Sequence, residues 1–473
     1  MALKTAFDGA SDNFRLERKG LLSGDANSLA ARELKHLQNR SHHLIRNNPA
    51  AVTARNRLVA HWIGNGLKVK WADKKMQSAW DAFIKNPSID GHGTFANMQN
   101  LIGSGYFESG EVFARMVIQR RDDCPIPLKL QVIEAEQLDP LYVRPKNIRY
   151  GIEFDSFGKP VNYHFWNRHP YALLDSSIVL QREPISADDI LHVFLRERPG
   201  QWRGIPKLAP ALLSIYEMDE LTDATLVRQK AAQAIGWIIK KNSSGALPLL
   251  GTIEQSAVQD QETIGKKLQK ILPGGIHYLA EDEDFQFAAV EDIGSNLVTM
   301  LEHNWRLIAS SLDVTYEQLT GDLTKVNFSS IRAGLIEFRR RVAMTQQLIF
   351  INLFIGPLCK RFQELAKIYI SANAASADYT IVLPKTDWVD PLKDAQADVL
   401  EIRAGLATLE DKLAERGVED IDAHIAQLLK EQGYDVVLDS NPIHNTQGNT
   451  TVTDQQQSDT QIQQADGQQM QGN

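Results

Sequence analysis

The sequence predicts an α+β protein, because stretches of helical patterning enclose a region of short strands. Residues 25–62 place apolar side chains at helical spacing, and Pro49 suits the first turn of a second helix. Over residues 95–197, short segments rich in β-branched and aromatic residues alternate with Gly and Pro, which indicates a mostly β, partly mixed region. Beyond Pro206 the helical patterning returns. A chain of 473 residues is long enough for several structural regions.

The second half of the chain alternates long helices with smaller modules. A long helix is predicted over residues 206–240, with acidic residues early and basic residues late, as the helix dipole favours. A small mixed module follows over residues 241–292, and a second helix over residues 293–312. After a polar loop, a third helix is predicted over residues 330–370, with a kink at Gly356-Pro357.

The C-terminal part combines a helical block with a polar tail. The block runs over residues 391–432 and is predicted to break near Gly405 and Gly417. Residues 440–473 contain ten Gln and no aromatic residue, Lys or Arg. Such a segment cannot bury enough apolar surface to fold, so it is predicted to be disordered.

The net charge opposes a protein whose main task is to hold DNA tightly. Lys and Arg number 51 against 59 Asp and Glu, which gives a charge of -8. DNA-binding proteins neutralise phosphates with a basic surface, and this balance has the wrong sign. The same balance is compatible with a conduit, because a like-charged wall lets DNA slide without sticking.

The cysteine content and the apolar segments favour a soluble protein in a reducing compartment. Cys124 and Cys359 alone make neither a disulfide framework nor a zinc site. Lys4 and Asp8 interrupt any N-terminal signal peptide. The most apolar run, residues 348–359, is well short of the ~20 residues that cross a bilayer. We therefore expect no membrane insertion.

A search for chemical motifs yields no catalytic residue, no cofactor and no metal ion. Phosphate-binding loops, zinc-protease motifs, nucleophile elbows and dinucleotide fingerprints are all missing, and Gly103-Ser104-Gly105 is interpreted as a turn. The adjacent His42 and His43 point to different helix faces, which is awkward for a metal site. The acidic run 281–284 favours a solvated loop, and Arg339-Arg340-Arg341 fans around a helix, which favours salt bridges over a DNA patch.

Two motifs stand out by their specificity. The first spans residues 198–206 (Arg-Pro-Gly-Gln-Trp-Arg-Gly-Ile-Pro), and the second spans residues 327–332 (Asn-Phe-Ser-Ser-Ile-Arg). Weaker segments accompany them in a fixed order at residues 47–66, 110–113, 130–140 and 151–165. Between about residues 35 and 433, this set resembles the lambda-type portal family of tailed bacteriophages. The motif residues are Arg198, Pro199, Gly200, Gln201, Arg203, Gly204, Asn327, Ser329, Ser330 and Arg332.

The two motifs also have a local physical interpretation. In the first, Pro199-Gly200 makes a turn and Gly204 supplies backbone freedom, so the motif starts the following helix at a fixed angle. In the second, Ser329 or Ser330 can cap the third long helix and Asn327 can close a local turn. The second motif is therefore either a plain helix start or a functional hinge.

The resemblance implies a portal-type fold with a mixed α/β wing, long stem helices, a small clip, a kinked helix and a helical crown. The implied regions are an N-terminal arm (1–24), the wing (25–205), stem helices (206–240 and 293–312), the clip (241–292), a tunnel loop (313–328), the kinked helix and wing return (329–390), the crown (391–439) and the Gln-rich tail (440–473).

The resemblance further implies a non-enzymatic subunit of a ring at one capsid vertex, through which DNA is packaged and ejected. Its implied partners are copies of itself in a dodecameric ring, the terminase large subunit, head-tail adaptor or neck proteins, capsid and scaffold proteins, and double-stranded DNA. It would be assembled in the host bacterial cytoplasm and reside in the virion. Thr324, Lys325 and Asn327 are the candidates for contact with DNA in the channel, although a plain surface turn would have similar residues.

Two alternatives remain open from the sequence. A phage adaptor or minor capsid protein would also be oligomeric and lack catalytic motifs, although adaptors are usually much smaller. An enzyme without a recognisable motif, such as a hydrolase, would use His192 or His277 with nearby carboxylates. Lone histidines on strands are more often structural residues.

Overall fold

The described part of the chain divides into two compact units. The computed structural model describes residues 24–120, 122–143, 147–172, 179–234, 238–241, 283–286, 295–324, 328–384, 391–416, 418, 424–427 and 430. One unit combines the residues up to Leu212 with those from Arg306 onward, and the other is Leu213–Trp305. Nearly all of the predicted N-terminal arm, most of the predicted clip and the whole predicted tail lie outside the described residues.

The first unit begins with the two helices that the sequence predicted. Helix α1 spans Ala26–Asn47 and helix α2 spans Pro49–Ile63. Asn48 separates them, and its side chain accepts a hydrogen bond from the backbone N–H of Ala51 at 2.9 Å. This is the N-cap arrangement that Asn favours, followed by proline at the first helical position. The chain then enters strand β1, Lys68–Trp71.

Two further helices precede the main strands, so the prediction of strands from Phe95 was wrong at its start. Helix α3 spans Lys74–Lys85 and helix α4 spans Phe95–Ser109. Gly103 and Gly105, interpreted from sequence as part of a turn, lie inside α4. A Cβ atom at Gly103 would lie 3.3 Å from a methyl carbon of Val59 in α2. Glycine is used here for close helix packing, which local sequence does not reveal.

The strands between Glu111 and Phe194 form two antiparallel sheets that share one apolar cluster. The first sheet contains β2 (Glu111–Ile118), β3 (Leu128–Ile133) and β8 (Ile190–Phe194). The strands lie in the order β3-β2-β8. In the order β4-β5-β6-β7, the second contains β4 (Ile148–Arg149), β5 (Ile152–Phe154), β6 (Pro160–Trp166) and β7 (Arg182–Ser186). Phe113 and Ile133 from the first sheet and Ile152 and Phe165 from the second belong to the buried cluster. From Glu111 onward, the predicted β-rich region is confirmed.

In its described residues, the second unit contains helical segments and a strand pair. Helix α5 spans Leu212–Ala234, and helix α6, which continues into the first unit, spans Ser295–Ser311. Strand β9 (Ile238–Lys241) pairs antiparallel with strand β10 (Glu283–Gln286). In this register Glu283 lies opposite Lys241 and Asp284 opposite Lys240. The second half of the acidic run 281–284 is therefore part of a strand opposite lysines, and not of the solvated loop that the sequence suggested.

The third long helix changes its hydrogen bonding at the position where the sequence predicted a kink. After the short helix α7 (Tyr316–Thr320), α8 spans Phe328–Thr345, a π-helical segment spans Gln346–Ile355, and α9 spans Gly356–Tyr369. The N–H of Gly356 donates to the carbonyl of Ile351, five residues earlier. Pro357 has no N–H and its ring clashes with the carbonyl four residues earlier, so α-helical bonding is disfavoured at this point. The predicted kink corresponds to a π-helical segment ending at Gly356-Pro357.

The π-helical segment and α9 are held by an aromatic core. The Phe362 ring lies 6.0 Å from Trp71, 5.0 Å from Trp80 and 5.6 Å from Phe83, measured between ring centres. Gln346, also buried, donates to the backbone carbonyl of Trp62 at 2.9 Å and thereby satisfies a carbonyl at the end of α2. The long helix is thus packed on α2, α3 and β1.

The same helix is long and apolar enough, by length and composition, to cross a membrane. This property belongs to Arg332–Tyr369. Phe350, Phe354 and Phe362, however, are fully buried within the protein. A core helix with these contacts passes the same compositional test, so the property alone is weak evidence for a membrane span.

The C-terminal part returns to β1 before forming short helices. After the one-turn helix α10 (Ala372–Ala375), strand β11 (Tyr379–Val382) pairs antiparallel with β1. Helix α11 spans Pro391–Arg403 and helix α12 spans Leu409–Glu415. Gly405 lies between them with a positive φ of 70°, as the predicted break requires.

Replacing Phe362 by Ala should destabilise the first unit by about 3–5 kcal/mol, because a large aromatic side chain is removed from a closed core. Thermal unfolding followed by near-ultraviolet circular dichroism would measure the loss. Phe157→Ala is the control, since this Phe is 95% exposed and its truncation should leave the melting temperature nearly unchanged. Equal effects of the two substitutions would contradict the described aromatic core.

Candidate functional site

The first motif forms a compact turn whose centre is a buried glutamine. The side-chain oxygen of Gln201 accepts hydrogen bonds from the backbone N–H groups of Glu197 and Arg198, at 3.0 and 3.1 Å. Its amide nitrogen donates to the carbonyl of Arg203 at 2.9 Å. Gly200 has a positive φ of 76°, as expected for the turn that Pro199-Gly200 predicted. The side of the turn formed by Arg198, Pro199 and Gly200 is exposed.

Asn27, at the start of α1, holds this turn from outside. Its side-chain nitrogen donates to the carbonyl of Gly200 at 2.7 Å, and its side-chain oxygen accepts from the N–H of Trp202 at 2.7 Å. The side-chain amide of Asn27 thus donates one hydrogen bond to the backbone of the turn and accepts one from it, as a neighbouring strand would. Nothing in the local sequence marked Asn27, because its partners lie more than 170 residues away in the chain.

Arg203 forms a buried ion pair with Glu111, the first residue of β2. The side chains are only 1% and 0% exposed, and the Arg203 Nη2 and Nε atoms lie 2.6 and 2.8 Å from Glu111 Oε1. Glu111 Oε2 also accepts from the N–H of Gly204 at 2.9 Å. Arg203 Nη1 donates to the carbonyl of Tyr150, a residue with a positive φ of 59°. A planar guanidinium that serves several acceptors at once suits such a buried position.

His192 completes this cluster. Its Nε2 atom lies 3.2 Å from Glu111 Oε2, and its Nδ1 atom lies 3.4 Å from the Tyr163 hydroxyl. Burial lowers the pKa of His192 more than Glu111 raises it, so the ring is neutral at pH 7. It then donates through Nε2 to Glu111 and accepts from Tyr163 at Nδ1. Its side chain is only 6% exposed, which removes the His192 version of the hydrolase alternative. His277 lies outside the described residues.

The contribution of Glu111 and His192 to the stability of the fold decreases as the pH falls. Burial raises the pKa of the Glu111 carboxyl, but Arg203 and His192 hold it below its ordinary value. Both Glu111 and His192 therefore bind protons more weakly in the folded chain than in the unfolded chain. Their contribution to stability is complete above about pH 6.5 and decreases with acidification, first through unfolded His192 and then through Glu111.

Gly110 and Gly204 bring the backbone of the segment 110–113 into contact with the backbone of the first motif. A Cβ atom on Gly110 would lie 2.0 Å from the carbonyl carbon of Ile205, and one on Gly204 would lie 2.1 Å from the carbonyl oxygen of Gly110. Gly110 also ends α4 with a positive φ of 79°. Only glycine allows this approach, so the segments containing Gly110 and Gly204 pack as one structural unit.

The residues after the motif connect to the end of α6 and to α8. The N–H of Lys207 donates to the carbonyl of Phe107 at 3.1 Å, and its ammonium lies 3.9 Å from Asp313. Arg341, from the predicted arginine run, pairs with the same Asp313 at 2.6 Å. Arg340 pairs with Glu337 at 3.0 Å on the surface of α8. These contacts agree with the expectation that the run forms salt bridges.

The predicted tunnel loop is partly helical in its described residues. Helix α7 begins with a capping box between Thr315 and Gln318. Arg57 donates to the carbonyl of Gln318. Thr324 is exposed, and both its N–H and its hydroxyl donate to Asp322 Oδ1, at 3.0 and 2.6 Å. The other two candidates for DNA contact, Lys325 and Asn327, lie outside the described residues.

The second motif lies at the start of α8. This helix begins at Phe328, so Ser329 and Ser330 belong to its first turn and not to the N-cap position that the sequence suggested. Arg332 pairs with Asp394 of α11 at 3.1 Å. The motif therefore ties the start of the long helix to the C-terminal helices, a contact that needs the tertiary fold.

Arg203→Met should lower stability by about 3–5 kcal/mol, because Glu111 would remain buried without its main cation. The double variant Glu111→Leu with Arg203→Met should be more stable than Arg203→Met alone, since no uncompensated charge remains. Urea and thermal unfolding of the parent chain, Arg203→Met and the double variant would measure these differences.

The matched control is Arg340→Met, which breaks an ion pair whose arginine is 73% exposed. Such a surface pair is worth at most about 1 kcal/mol. A loss in Arg203→Met no larger than that in Arg340→Met would contradict a structural role for the buried pair.

Comparisons with known proteins identify the family to which these motifs belong. The family described as "Phage portal protein, lambda family" matches residues 15–346, which include the first motif, the Glu111 segment and the second motif. Halomonas phage phiHAP-1 has a "Probable portal protein" that is 24% identical over 299 residues, covering 60% of this chain and 55% of that protein. "Portal protein B" of Escherichia phage lambda is 24% identical over 323 residues, covering 60% of this chain and 58% of that protein.

The chain therefore spans less than two thirds of the length of these relatives. Among solved structures, a chain from the "Neck of native GTA particle computed with C12 symmetry" is 14% identical with a TM-score of 0.48, over 80% of this chain and 90% of that chain. The family match covers well over half of the sequence, including both motifs and the residues of the buried ion pair. The chain belongs to the lambda family of phage portal proteins.

Proposed function

We propose that the chain is a subunit of the ring-shaped head-tail connector at one capsid vertex, the channel through which phage DNA is packaged and ejected. The family match over residues 15–346 carries this proposal. It favours a portal over the adaptor or minor capsid alternative, and over an enzyme. The buried, fully paired state of Glu111, His192 and Arg203 supports a structural use of the motif residues.

The proposed assembly is a homo-oligomeric ring, with twelve subunits by resemblance. Support comes from large apolar side chains that a single chain leaves in water on α5 and α6. These residues are Leu213, Leu226, Val227, Val298 and Met300. Neighbouring subunits of a closed ring would bury such faces.

The proposed partners follow from the position of a portal in the virion. The clip (241–292) would bind the terminase large subunit during packaging and adaptor or neck proteins afterwards. The wing and crown would meet capsid and scaffold proteins, after assembly in the host cytoplasm. Double-stranded DNA would pass the loop that contains Thr324, Lys325 and Asn327. The charge of -8 supports passage of DNA without tight binding.

Val227→Asp should prevent ring formation, because it places a charge on a side chain that is 64% exposed in the single chain and buried in the proposed ring. Mass photometry and negative-stain imaging would count the subunits. Val227→Thr, which keeps the shape, is the matched control and should still form rings. Rings formed equally well by Val227→Asp would exclude α5 from the interface, and a folded parent chain that stays monomeric would oppose the proposed ring.

Removing the clip should abolish terminase binding and leave ring assembly intact. Lys241 and Glu283 are register partners at the open end of the β9–β10 pair, so residues 242–282 can be replaced by an Asn-Gly hairpin turn. Binding of the purified terminase large subunit would be measured for the parent and shortened rings. Unchanged binding by the shortened ring would overturn the assignment of the clip.

Lys325→Ala should reduce the retention of packaged DNA, because it removes a cation from the segment proposed to meet the passing duplex. The loss should be partial, since one neutralised phosphate changes affinity only modestly. Genome length and DNA retention in assembled particles would be compared with Lys367→Ala, which alters an exposed lysine of α9. Normal packaging and retention in Lys325→Ala, and in a variant with a shortened loop, would contradict the proposed contact.

A further inference from the structure

Two carboxylates and one imidazole converge beside the second sheet, next to Ala135, whose carbonyl accepts a hydrogen bond from Arg203. Glu134 and Glu136 flank Ala135 in the short turn after β3, and His169 follows β6. One oxygen from each carboxylate and one ring nitrogen of His169 all lie within 4.8 Å of one another. The Nδ1 atom of His42 in α1 also lies 3.3 Å from Oε1 of Glu136.

The spacing of this cluster approaches that of a metal site. His169 Nε2 and Glu134 Oε2 lie 3.3 Å apart. A tetrahedral zinc ion with bonds of about 2.0–2.1 Å separates neighbouring ligand atoms by about 3.3–3.4 Å. The Glu136 oxygen would need to approach by about 1.5 Å at most, starting from the 4.8 Å limit. Glu134 is 67% exposed and His169 lies in a loop, so both have the freedom to close around an ion.

One buried carboxylate oxygen of Glu136 has no hydrogen-bond donor among the described residues and could bind a cation. Its side chain is only 7% exposed, and its Oε2 atom is buried without a hydrogen-bond partner in the described structure. A buried carboxylate oxygen without a donor costs free energy.

We propose that Glu134, Glu136 and His169 bind a divalent transition-metal ion such as Zn²⁺, with water completing the coordination and His42 positioning the Glu136 carboxylate. A donor set with an imidazole favours Zn²⁺ over Mg²⁺ or Ca²⁺, which prefer oxygen ligands alone. The contact of 3.3 Å between His42 Nδ1 and Glu136 Oε1 can provide the kind of support that ligating carboxylates usually receive. The ion would link the turn after β3, the loop after β6 and helix α1.

Binding of the metal ion would break one hydrogen bond of His169. His169 Nδ1 accepts a hydrogen bond of 3.2 Å from the N–H of Tyr171. Coordination through Nε2 places the ring proton on Nδ1, so this exposed bond must be given up. A more acidic medium should weaken binding further, because the ligands must be deprotonated to bind the ion.

The test is metal binding by the untagged full-length chain after treatment with a chelator. Titration calorimetry with Zn²⁺ should give one site per subunit, and Mg²⁺ should bind far more weakly. Glu136→Gln and His169→Ala should each remove this site, whereas His42→Gln should weaken it roughly 10- to 100-fold. Zn²⁺ should also raise the melting temperature of the parent chain and not that of Glu136→Gln.

Glu153→Gln is the matched control. Glu153 lies 3.4 Å from His164, a similar carboxylate–imidazole contact, but its oxygens already accept from Asn162 and Asn147. This variant should bind Zn²⁺ like the parent. The proposal is overturned if the parent binds no Zn²⁺, if Mg²⁺ binds equally well, or if folded Glu136→Gln and His169→Ala bind Zn²⁺ with the parent's affinity and stoichiometry.

Discussion

The arrangement of the first unit depends on the buried ion pair between Glu111 and Arg203. Two charges removed from water are tolerated only when the remaining lone pairs of the carboxylate and the remaining N–H groups of the guanidinium have hydrogen-bond partners. Here the partners come from separate segments: His192 on β8, the N–H of Gly204, and the carbonyls of Tyr150 and Ala135. The pair is therefore complete only when both sheets and the motif turn have reached their final positions. It selects one geometry for the segment that leads into α5.

That geometry is reinforced by contacts that do not involve charge. Gly110 and Gly204 let two backbones touch, and Asn27 holds the turn through two backbone hydrogen bonds. Elsewhere in the unit, the aromatic core anchors the π-helical segment and α9, while Gln346 joins that segment to the end of α2.

Several arginines of the described chain are engaged in holding elements together. Arg203 pairs with Glu111, Arg341 with Asp313, Arg332 with Asp394, and Arg361 with Asp189. These pairs connect segments that are distant in sequence, and they leave those cations neutralised. These arginines therefore hold the fold together.

The sequence predicted the α+β class, the helix break at Pro49, the β-rich region from Glu111 and the turn at Pro199-Gly200, because these features depend on local periodicity and turn chemistry. The family came from the resemblance of its two motifs and their accompanying segments. The sequence misplaced Gly103 and Gly105 in a turn. Gly103 instead allows α4 to pack against Val59 and Ile63 of α2, which are distant in the chain, and Gly105 allows it to pack against Val112 of β2. Only the tertiary structure joined Arg203 to Glu111, Asn27 to Gly200, and Glu136 to His169 and His42. Such partnerships are set by how separate elements pack, and no spacing along one chain encodes them.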